Sequence, residues 1–298
     1  MALGIEVARS FYEGWGLPYL QEEYPHLVDR MAAVLCHGSQ CLGNDDELSR
    51  DHGWGPQFAL ILTGADMSRY GRALANRINR DTPDEWEGHS LKKANDIEVA
   101  SINRWYRKLL GREQPATTDK GWYHRTNEEN LCMLNHAPVF QDPLGEWSAR
   151  RRGFATYPDL VWKWRARDDL WNVWHFGEYN FLQRLTLRRD PVAIALALGK
   201  VCEGVMRLYL VLEHQYCPYW KWLAAQFRKL RDVEEMDQWL RALTTTHNID
   251  EQAELMGKIC AEVHKRVVEA FGLEPNPTGH PHPLLLAHEE LAEQGRQS

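Results

Sequence analysis

Hydrophobic positions in the first third of the chain follow two different spacings. Apolar side chains recur at helical intervals over residues 27–35, and the chain is predicted to pass from helix into strand at 33–36. The compact apolar run at 58–63 lies between a proline and a glycine, which is typical of a buried strand. Residues 96–102 alternate apolar and polar side chains and form a third predicted strand. The first third is therefore predicted to mix helices and strands.

Helical spacing dominates the chain beyond residue 158. Within this part, Asp190 is a predicted helix N-cap, with Pro191 at the first helical position. The predicted helices cover residues 158–190, 190–216, 219–230 and 250–271.

Gly, Pro, Asn and Asp are frequent in residues 111–159, which are predicted to be a connecting region with short helices. The chain is thus predicted to be an α+β protein of two domains, an α/β domain at 1–157 and a helical domain at 158–298. A cleft between two such domains is where we expect a ligand to bind.

The charge balance limits the partners that we expect. The chain has 298 residues, of which 44% are hydrophobic and 26% charged, as in ordinary globular proteins. Its net charge of -7 and pI of about 6.0 argue against broad binding to nucleic acid, because a phosphate-binding surface usually brings an excess of basic residues. Nucleic acid is therefore not an expected partner, although a local basic pocket is compatible with this composition.

The six cysteines show no CxxC spacing, and no basic and apolar leader opens the sequence, so we expect a reduced, cytoplasmic protein. The longest apolar run, residues 192–212, is interrupted by three charged side chains, which argues against a membrane span. The aromatic content is compatible with a homodimer, but packing between the two domains would use the same side chains.

The polar stretch at 36–58 combines a Gly-Ser pair with several carboxylates. A small turn such as Gly38-Ser39 lets backbone N–H groups and a hydroxyl approach phosphate oxygens closely. Asp51 lies twelve residues after Ser39 and shortly before the predicted strand at 58–63, where a carboxylate could hold Mg²⁺. Two such metal ions would stabilise the entering and the leaving oxygen of an in-line displacement. This stretch is therefore predicted to bind a metal and a phosphate.

Two segments carry a resemblance to known proteins, "GSQCLGNDDELSRDHGWGPQF" at 38–58 and "RRDPVAIALALGKVCEGVMRLYLVLEHQYCPYWKW" at 188–222. They resemble a bacterial family of unknown function that is related to the nucleotidyltransferase superfamily, which includes the kanamycin- and lincosamide-type antibiotic nucleotidyltransferases. The similarity spans residues 19–271. It implies a nucleotidyltransferase-like mixed sheet with helices, followed by a C-terminal helical bundle. It also implies a nucleoside triphosphate as substrate and Mg²⁺, or another divalent metal, as cofactor.

The resemblance assigns roles to residues one by one. Gly38 and Ser39 match the phosphate-binding turn, and Asp51 matches the first of two metal-binding carboxylates separated by one residue. Glu98 is the candidate for a third carboxylate on a neighbouring strand, where it would bind metal or act as general base toward an acceptor hydroxyl. The second carboxylate falls on Gly53, which offers at most a backbone carbonyl to a hard cation.

Two interpretations of this departure stay open. A carboxylate from the same polar stretch could replace the missing one, with Asp46 as the candidate ligand, or these carboxylates could fix the loop by accepting backbone N–H bonds. Alternatively, a nearby imidazole could shift the metal preference toward Zn, Ni or Fe. The carboxylates are Asp45, Asp46 and Glu47, and the histidines are His37 and His52.

Three further side chains are candidates for holding the nucleotide. Arg50 could meet a phosphate or neutralise the neighbouring carboxylates. Lys221 could offer a positive charge to a triphosphate, and Tyr216 a stacking face to the base; the alternative is that both belong to a tightly packed helix junction.

The leading functional hypothesis is a metal-dependent transfer of a nucleoside monophosphate from a nucleoside triphosphate to a hydroxyl or amine of a small molecule. The chain shows no GxSxG, Walker A, GxGxxG or HExxH pattern that would favour other chemistry. The alternatives are a degenerate relative that binds nucleotide or serves as a scaffold, a metal-dependent enzyme of specialised metabolism, and an enzyme that modifies tRNA or protein. Whether the chain is an enzyme at all is left open by Gly53.

Overall fold

The computed structural model describes residues 3–36, 38–45, 54–91, 97–276 and 279–297. The chain forms two compact units of different character. Unit 1 consists of Met1–Thr117 and His124–Ala155, and unit 2 of Thr118–Tyr123 and Thr156–Ser298.

The described residues of unit 1 form six short strands: β1 Met31–Val34, β2 Ala59–Leu62, β3 Glu85–Trp86, β4 His89–Ser90, β5 Glu98–Ser101 and β6 Val139–Gln141. Four of them form a mixed sheet in the order β5-β2-β1-β6, and β3 and β4 form a separate hairpin. Within the sheet, β1 pairs antiparallel with both β2 and β6, and β2 pairs parallel with β5. A parallel pair needs a long crossover, and the chain makes it through helices after β2.

The helices of the first half are α1 Gly4–Phe11, α2 Leu17–Glu23, α3 Pro25–Val28, α4 Gly64–Asp66, α5 Arg72–Asp81, α6 Ile102–Leu110, α7 Asp119–Arg125, α8 Glu128–His136 and α9 Glu146–Gly153. Short π-helical segments at Tyr12–Gly16 and Met67–Gly71 join α1 to α2 and α4 to α5, and a 3₁₀ turn covers Ser39–Leu42.

The helices of the second half are α10 Asp159–Asn172, α11 Thr186–Arg188, α12 Pro191–Leu212, α13 Trp220–Phe227, α14 Glu234–Thr245, α15 Ile249–Phe271 and α16 Pro283–Gln297. A π-helical segment at Val173–Leu185 continues α10 without a break into α11. The α+β class predicted from the sequence is confirmed, with a mixed sheet in unit 1 and helical packing in unit 2.

The strands at the centre of the sheet are apolar on both faces. Every residue of β1 is buried, and β2 is buried except for its half-buried first residue. Such continuous apolar runs are typical of strands that are covered on both sides. The predicted strands at 58–63 and 96–102 are confirmed as β2 and β5, although β5 is half-buried at all positions except Ala100.

The transition from helix to strand occurs earlier than the sequence predicts. Helix α3 ends at Val28, and Met31 already begins β1. The helical spacing of Met31 and Val34 is coincidental, because both faces of this strand are buried and apolar residues are needed at all four positions.

An aromatic cluster packs α1 and the following π-helical segment against the start of β2. Phe11 stacks on Trp15 with ring centroids 5.1 Å apart and contacts Phe58 at 5.4 Å. Tyr12 meets the Phe58 ring edge-on at 5.2 Å. Aromatic pairs in these geometries add to the free energy gained from burying their area.

Unit 2 is held by helix packing and by one buried ion pair. The Asp190 side chain accepts the Ala193 N–H at 2.8 Å, so the predicted cap of α12 is confirmed. Farther along α12, Arg207 donates to Asp169 of α10 at 2.9 Å. Within the described part of the chain, no helix combines the length and the apolar character that a membrane crossing needs.

Candidate functional site

Glu98 lies at the same end of the sheet as the strand end that leads into the Gly-Ser turn. Val34 at the end of β1 pairs with Ala59 at the start of β2, and Ala59 pairs with Glu98 at the start of β5. Since neighbouring strands lie about 4.8 Å apart, Glu98 is about 10 Å from Val34 across the sheet. The chain leaves β1 at this end and reaches Gly38 four residues later. The sheet register therefore places the carboxylate two strands away from the strand end that leads into the turn.

Gly38 has a backbone conformation that other residues avoid. Its φ of 75° and ψ of 176° are readily accessible only to glycine. The 3₁₀ turn at Ser39–Leu42 follows directly, and the Cys41 N–H donates to the Gly38 carbonyl at 3.4 Å. The Gly-Ser pair predicted from the sequence is thus a real turn, in which Ser39 is half-buried.

A buried carboxylate, Asp45, binds groups from two other parts of unit 1. One oxygen of Asp45 accepts hydrogen bonds from the Gly4 N–H at the start of α1 and from the Trp54 indole N–H, the latter at 2.9 Å. The fully buried Gln40 side chain accepts the Gly55 N–H at 3.3 Å. Asp45 therefore links Trp54 to the start of α1.

No sequence pattern connects Asp45 to Gly4, because the two residues are 41 positions apart. Gly4 is required by close packing rather than by its dihedral angles. A Cβ atom there would lie 2.7 Å from the Trp54 Nε1 and 2.9 Å from an Asp45 oxygen, closer than real Cβ contacts allow.

Glu98 is bound to a cation from its own unit. The Lys108 ammonium of α6 donates to both carboxylate oxygens of Glu98, at 2.8 and 2.9 Å. Both side chains are partly exposed, Glu98 at 39% and Lys108 at 67%. Glu98 has the oxygen donors that Mg²⁺ prefers, but a metal ion at this carboxylate has to compete with the ammonium. No sequence pattern indicates Lys108, which α6 brings back beside the strand that precedes it.

The Cys36 thiol lies within electrostatic reach of Glu98. Burial raises the pKa of Cys36 well above its ordinary value; Cys41 and Glu98 raise it further, and Arg151 partly offsets this. A thiol with a raised pKa is a poor nucleophile near neutral pH, since the thiolate is the reactive form. The polar edge of the sheet is therefore better suited to oxygen ligands than to thiol chemistry.

Several predicted site residues lie outside the described residues, so their roles stay predictions. They are Asp51, Asp46 and Arg50, together with His37, His52, Glu47 and Gly53. Among the residues that the structure does describe, no group of three or more His, Cys, Asp or Glu side chains is placed to hold a metal ion. Glu98 is the one predicted metal ligand whose surroundings can be stated.

Tyr216 and Lys221 belong to unit 2. Tyr216 is only 6% exposed and packs against the rings of Tyr157 and Trp162, with centroids 4.7 and 5.5 Å away. Lys221 is exposed on α13 and extends over the Trp222 ring at 4.9 Å. Their roles in nucleotide binding stay predictions.

Comparisons with known proteins support a family of unknown function. A family model described as "Domain of unknown function (DUF4037)" matches residues 122–223, and over this range the resemblance to such a family is confirmed. No curated protein matches the chain. A solved structure from Exiguobacterium sibiricum 255-15, described as a nucleotidyltransferase-like protein, is similar with 8% identity and a TM-score of 0.36. That similarity covers 95% of this chain and 91% of the other.

The family match does not include the Gly-Ser turn or Glu98. Gly38, Ser39 and Glu98 all precede residue 122, where the matched range begins. The candidate site therefore depends on the geometry of unit 1.

Proposed function

We propose that the chain is a metal-dependent nucleotidyltransferase that uses a nucleoside triphosphate and a small-molecule acceptor. One observation supports this proposal: the register from Val34 through Ala59 to Glu98 puts a carboxylate at the same end of the sheet as the strand end that leads into the glycine-serine turn. The family resemblance implies the same plan, with a turn after one strand and carboxylates on its neighbours.

The proposed reaction forms a bond between the acceptor oxygen or nitrogen and the α-phosphorus of the triphosphate, and it breaks the bond from that phosphorus to pyrophosphate. The acceptor loses a proton, and Glu98 would act either as the general base that accepts it or as a ligand of the metal ion. Backbone N–H groups near Gly38 and Ser39 would hold phosphate oxygens. A Mg²⁺ ion held by Asp51, Glu98 and Asp46 would neutralise the charge that develops on the phosphate oxygens.

A second function is favoured by Lys108. Its ammonium already neutralises Glu98, and a pair of this kind could receive a nucleotide without any metal ion. Under this hypothesis the protein is a nucleotide-binding module, in which Lys108 contacts a phosphate and no transfer occurs. The absence of a carboxylate at residue 53 supports the same alternative.

Calorimetric titration with a non-hydrolysable ATP analogue, with and without Mg²⁺, separates the two functions. The variants are Glu98→Gln and Lys108→Met. Lys200→Met is a matched control, because Lys200 and Glu203 form an ion pair of similar exposure in unit 2, with the Nζ 3.0 Å from the carboxylate.

For the transferase we expect binding that requires Mg²⁺, at least a tenfold loss in Glu98→Gln, and retained or tighter binding in Lys108→Met. For the metal-free module we expect binding without Mg²⁺ that Lys108→Met weakens at least tenfold. Lys200→Met should match the unmodified protein in either case. Absence of nucleotide binding by the unmodified protein under both conditions would contradict both functions.

A further inference from the structure

Glu178 is a buried carboxyl group in the π-helical segment at Val173–Leu185. Its side chain is 10% exposed, and one oxygen accepts the N–H of Leu284 in the first turn of α16. The other oxygen has no hydrogen-bond partner among the described residues and lies 3.8 Å from the Nδ1 atom of His282. π-helical segments are rare, and single-turn π-bulges within α-helices are frequently found at functional sites.

Helix α16 packs along unit 2 through an apolar stripe. Leu284, Ala287 and Leu291 are buried and recur at helical spacing on one face of the helix. At the start of this stripe, the Leu284 N–H is one of the amides without a partner inside the helix, and Glu178 supplies its acceptor. The position of the first turn of α16 is thus coupled to the state of one carboxyl group.

The surroundings of Glu178 favour its neutral form. Burial raises the pKa of Glu178 to about 7, against a partial lowering by the Leu284 N–H. Burial, together with His280 and Arg184, lowers the pKa of the facing His282. On α15, burial and Glu178 both raise the pKa of Cys260, so this thiol stays neutral. Among the described residues, a carboxylate at this place therefore has one hydrogen bond, from Leu284, and its pKa is lowered by no charged side chain.

We propose that the first turn of α16 is a pH-sensitive latch, which stays docked while Glu178 carries a proton and opens when Glu178 loses it. Opening would let water reach the carboxylate and the freed amide. The latch is a property of unit 2 and does not depend on nucleotide transfer.

The direction of the pH effect follows from the two protonation states. The folded-state pKa of Glu178 is above the ordinary value of 4.5, so its contribution to docking is fully present below that value and is lost as pH rises through about 7. With a pKa of 4.5 in the open state and about 7 in the docked state, the equilibrium constant for opening rises about tenfold between pH 6 and pH 8. His282 acts in the opposite direction, since a lowered pKa favours opening at acidic pH.

Hydrogen exchange of the full chain tests the latch. Exchange of the α16 amides from Leu285 to Leu291 would be measured at pH 6, 7 and 8 and corrected for the intrinsic pH dependence of exchange. The variant is Glu178→Gln, which keeps the size and one acceptor oxygen. Glu262→Gln is the control, because Glu262 is a partly exposed carboxylate on α15 that binds Arg266 at 3.0 Å.

We expect about a tenfold increase in opening between pH 6 and pH 8 for the unmodified protein and for Glu262→Gln, and less than a twofold change for Glu178→Gln. Equal pH dependence in Glu178→Gln and the unmodified protein would overturn the proposal, as would pH-independent opening of the unmodified protein. His282→Gln provides a second test that keeps Glu178. The tenfold increase must persist there, and its loss would assign the pH dependence to the imidazole.

Discussion

Two ion pairs, one in each unit, have similar geometry and opposite exposure. Lys108 and Glu98 are joined at 2.8 Å on the edge strand of unit 1, and both are partly exposed. Arg207 and Asp169 are joined at 2.9 Å between α10 and α12, with the carboxylate only 5% exposed. A surface pair contributes little to stability and can exchange its cation with solvent or a ligand. A buried pair is costly to break, because the remaining charge stays desolvated.

The comparison distinguishes carboxylates that can take part in chemistry from those that organise the fold. Glu98 can exchange its partner without moving the strand that carries it. Asp169 and Asp45 are bound to groups from other elements, so losing these bonds affects the fold before it affects any ligand.

The largest effect is expected from Arg207→Met. This change removes the guanidinium from a buried carboxylate and should lower the free energy of unfolding by about 3 kcal/mol. Lys108→Met should lower it by less than about 1 kcal/mol, because Lys108 is mostly exposed. Urea unfolding of both variants measures the difference, and similar losses would show that exposure does not separate the two pairs.

Asp45→Ala is expected to have the next largest effect. The Gly4 N–H and the Trp54 indole N–H lose their acceptor, which should cost about 1–3 kcal/mol in the free energy of unfolding. Urea unfolding would measure this loss. A loss below about 0.5 kcal/mol would mean that the bonds from Gly4 and Trp54 to Asp45 do not contribute to stability.

Gly4→Ala tests the same contact from the side of α1. A methyl group there must displace the Asp45 and Trp54 side chains, so we expect a loss of about 1–2 kcal/mol in thermal or urea unfolding. Gly199→Ala is the control, since a Cβ atom at this helical glycine meets no atom within 4 Å. The control should gain about 0.5–1 kcal/mol from helix propensity. A neutral Gly4→Ala would contradict the close approach.

The smallest effect is expected from Arg30→Gln, which changes how the free energy of unfolding depends on pH through the titration of Asp66. Burial raises the pKa of Asp66, but hydrogen bonds from Thr63 and Arg30 outweigh it and lower the pKa. When folding lowers the pKa of a carboxyl group, the group stabilises the folded state above its ordinary pKa. This stabilisation is lost as pH falls through the folded-state pKa. Arg30→Gln should therefore reduce the loss of stability on acidification in urea unfolding between pH 6 and pH 3. An unchanged pH profile would contradict this assignment.

Local patterns predict those elements whose own residues determine their structure. The apolar run of β2 and the cap at Asp190 are of this kind, because each depends on residues within a few positions. Strand β6 was missed within the predicted connecting region, since it has three half-buried residues and no alternation to reveal it. Helix α14 was also missed in the sequence analysis.

The candidate site and the latch in unit 2 both depend on contacts between residues far apart in the sequence, which no local pattern shows. Asp45 binds Gly4 across 41 residues, and Glu178 faces His282 across more than 100 residues. Lys108 reaches Glu98 because α6 turns back beside β5. To predict this contact, one must know that the helix starts at Ile102. The sequence predicts Glu98 as a carboxylate near the site but does not predict that a cation already binds it.

Residues 118–123 give the chain an interleaved order: they belong to unit 2 although unit 1 precedes and follows them. Tyr123 is held by Asp168, and Trp122 packs edge-on against Tyr157 at 5.7 Å. During synthesis, this short segment emerges before the helices that bury it. A fragment that ends at residue 157 would keep Tyr123 but lack Asp168, so the two units are expected to be produced more successfully as one chain than as separate pieces.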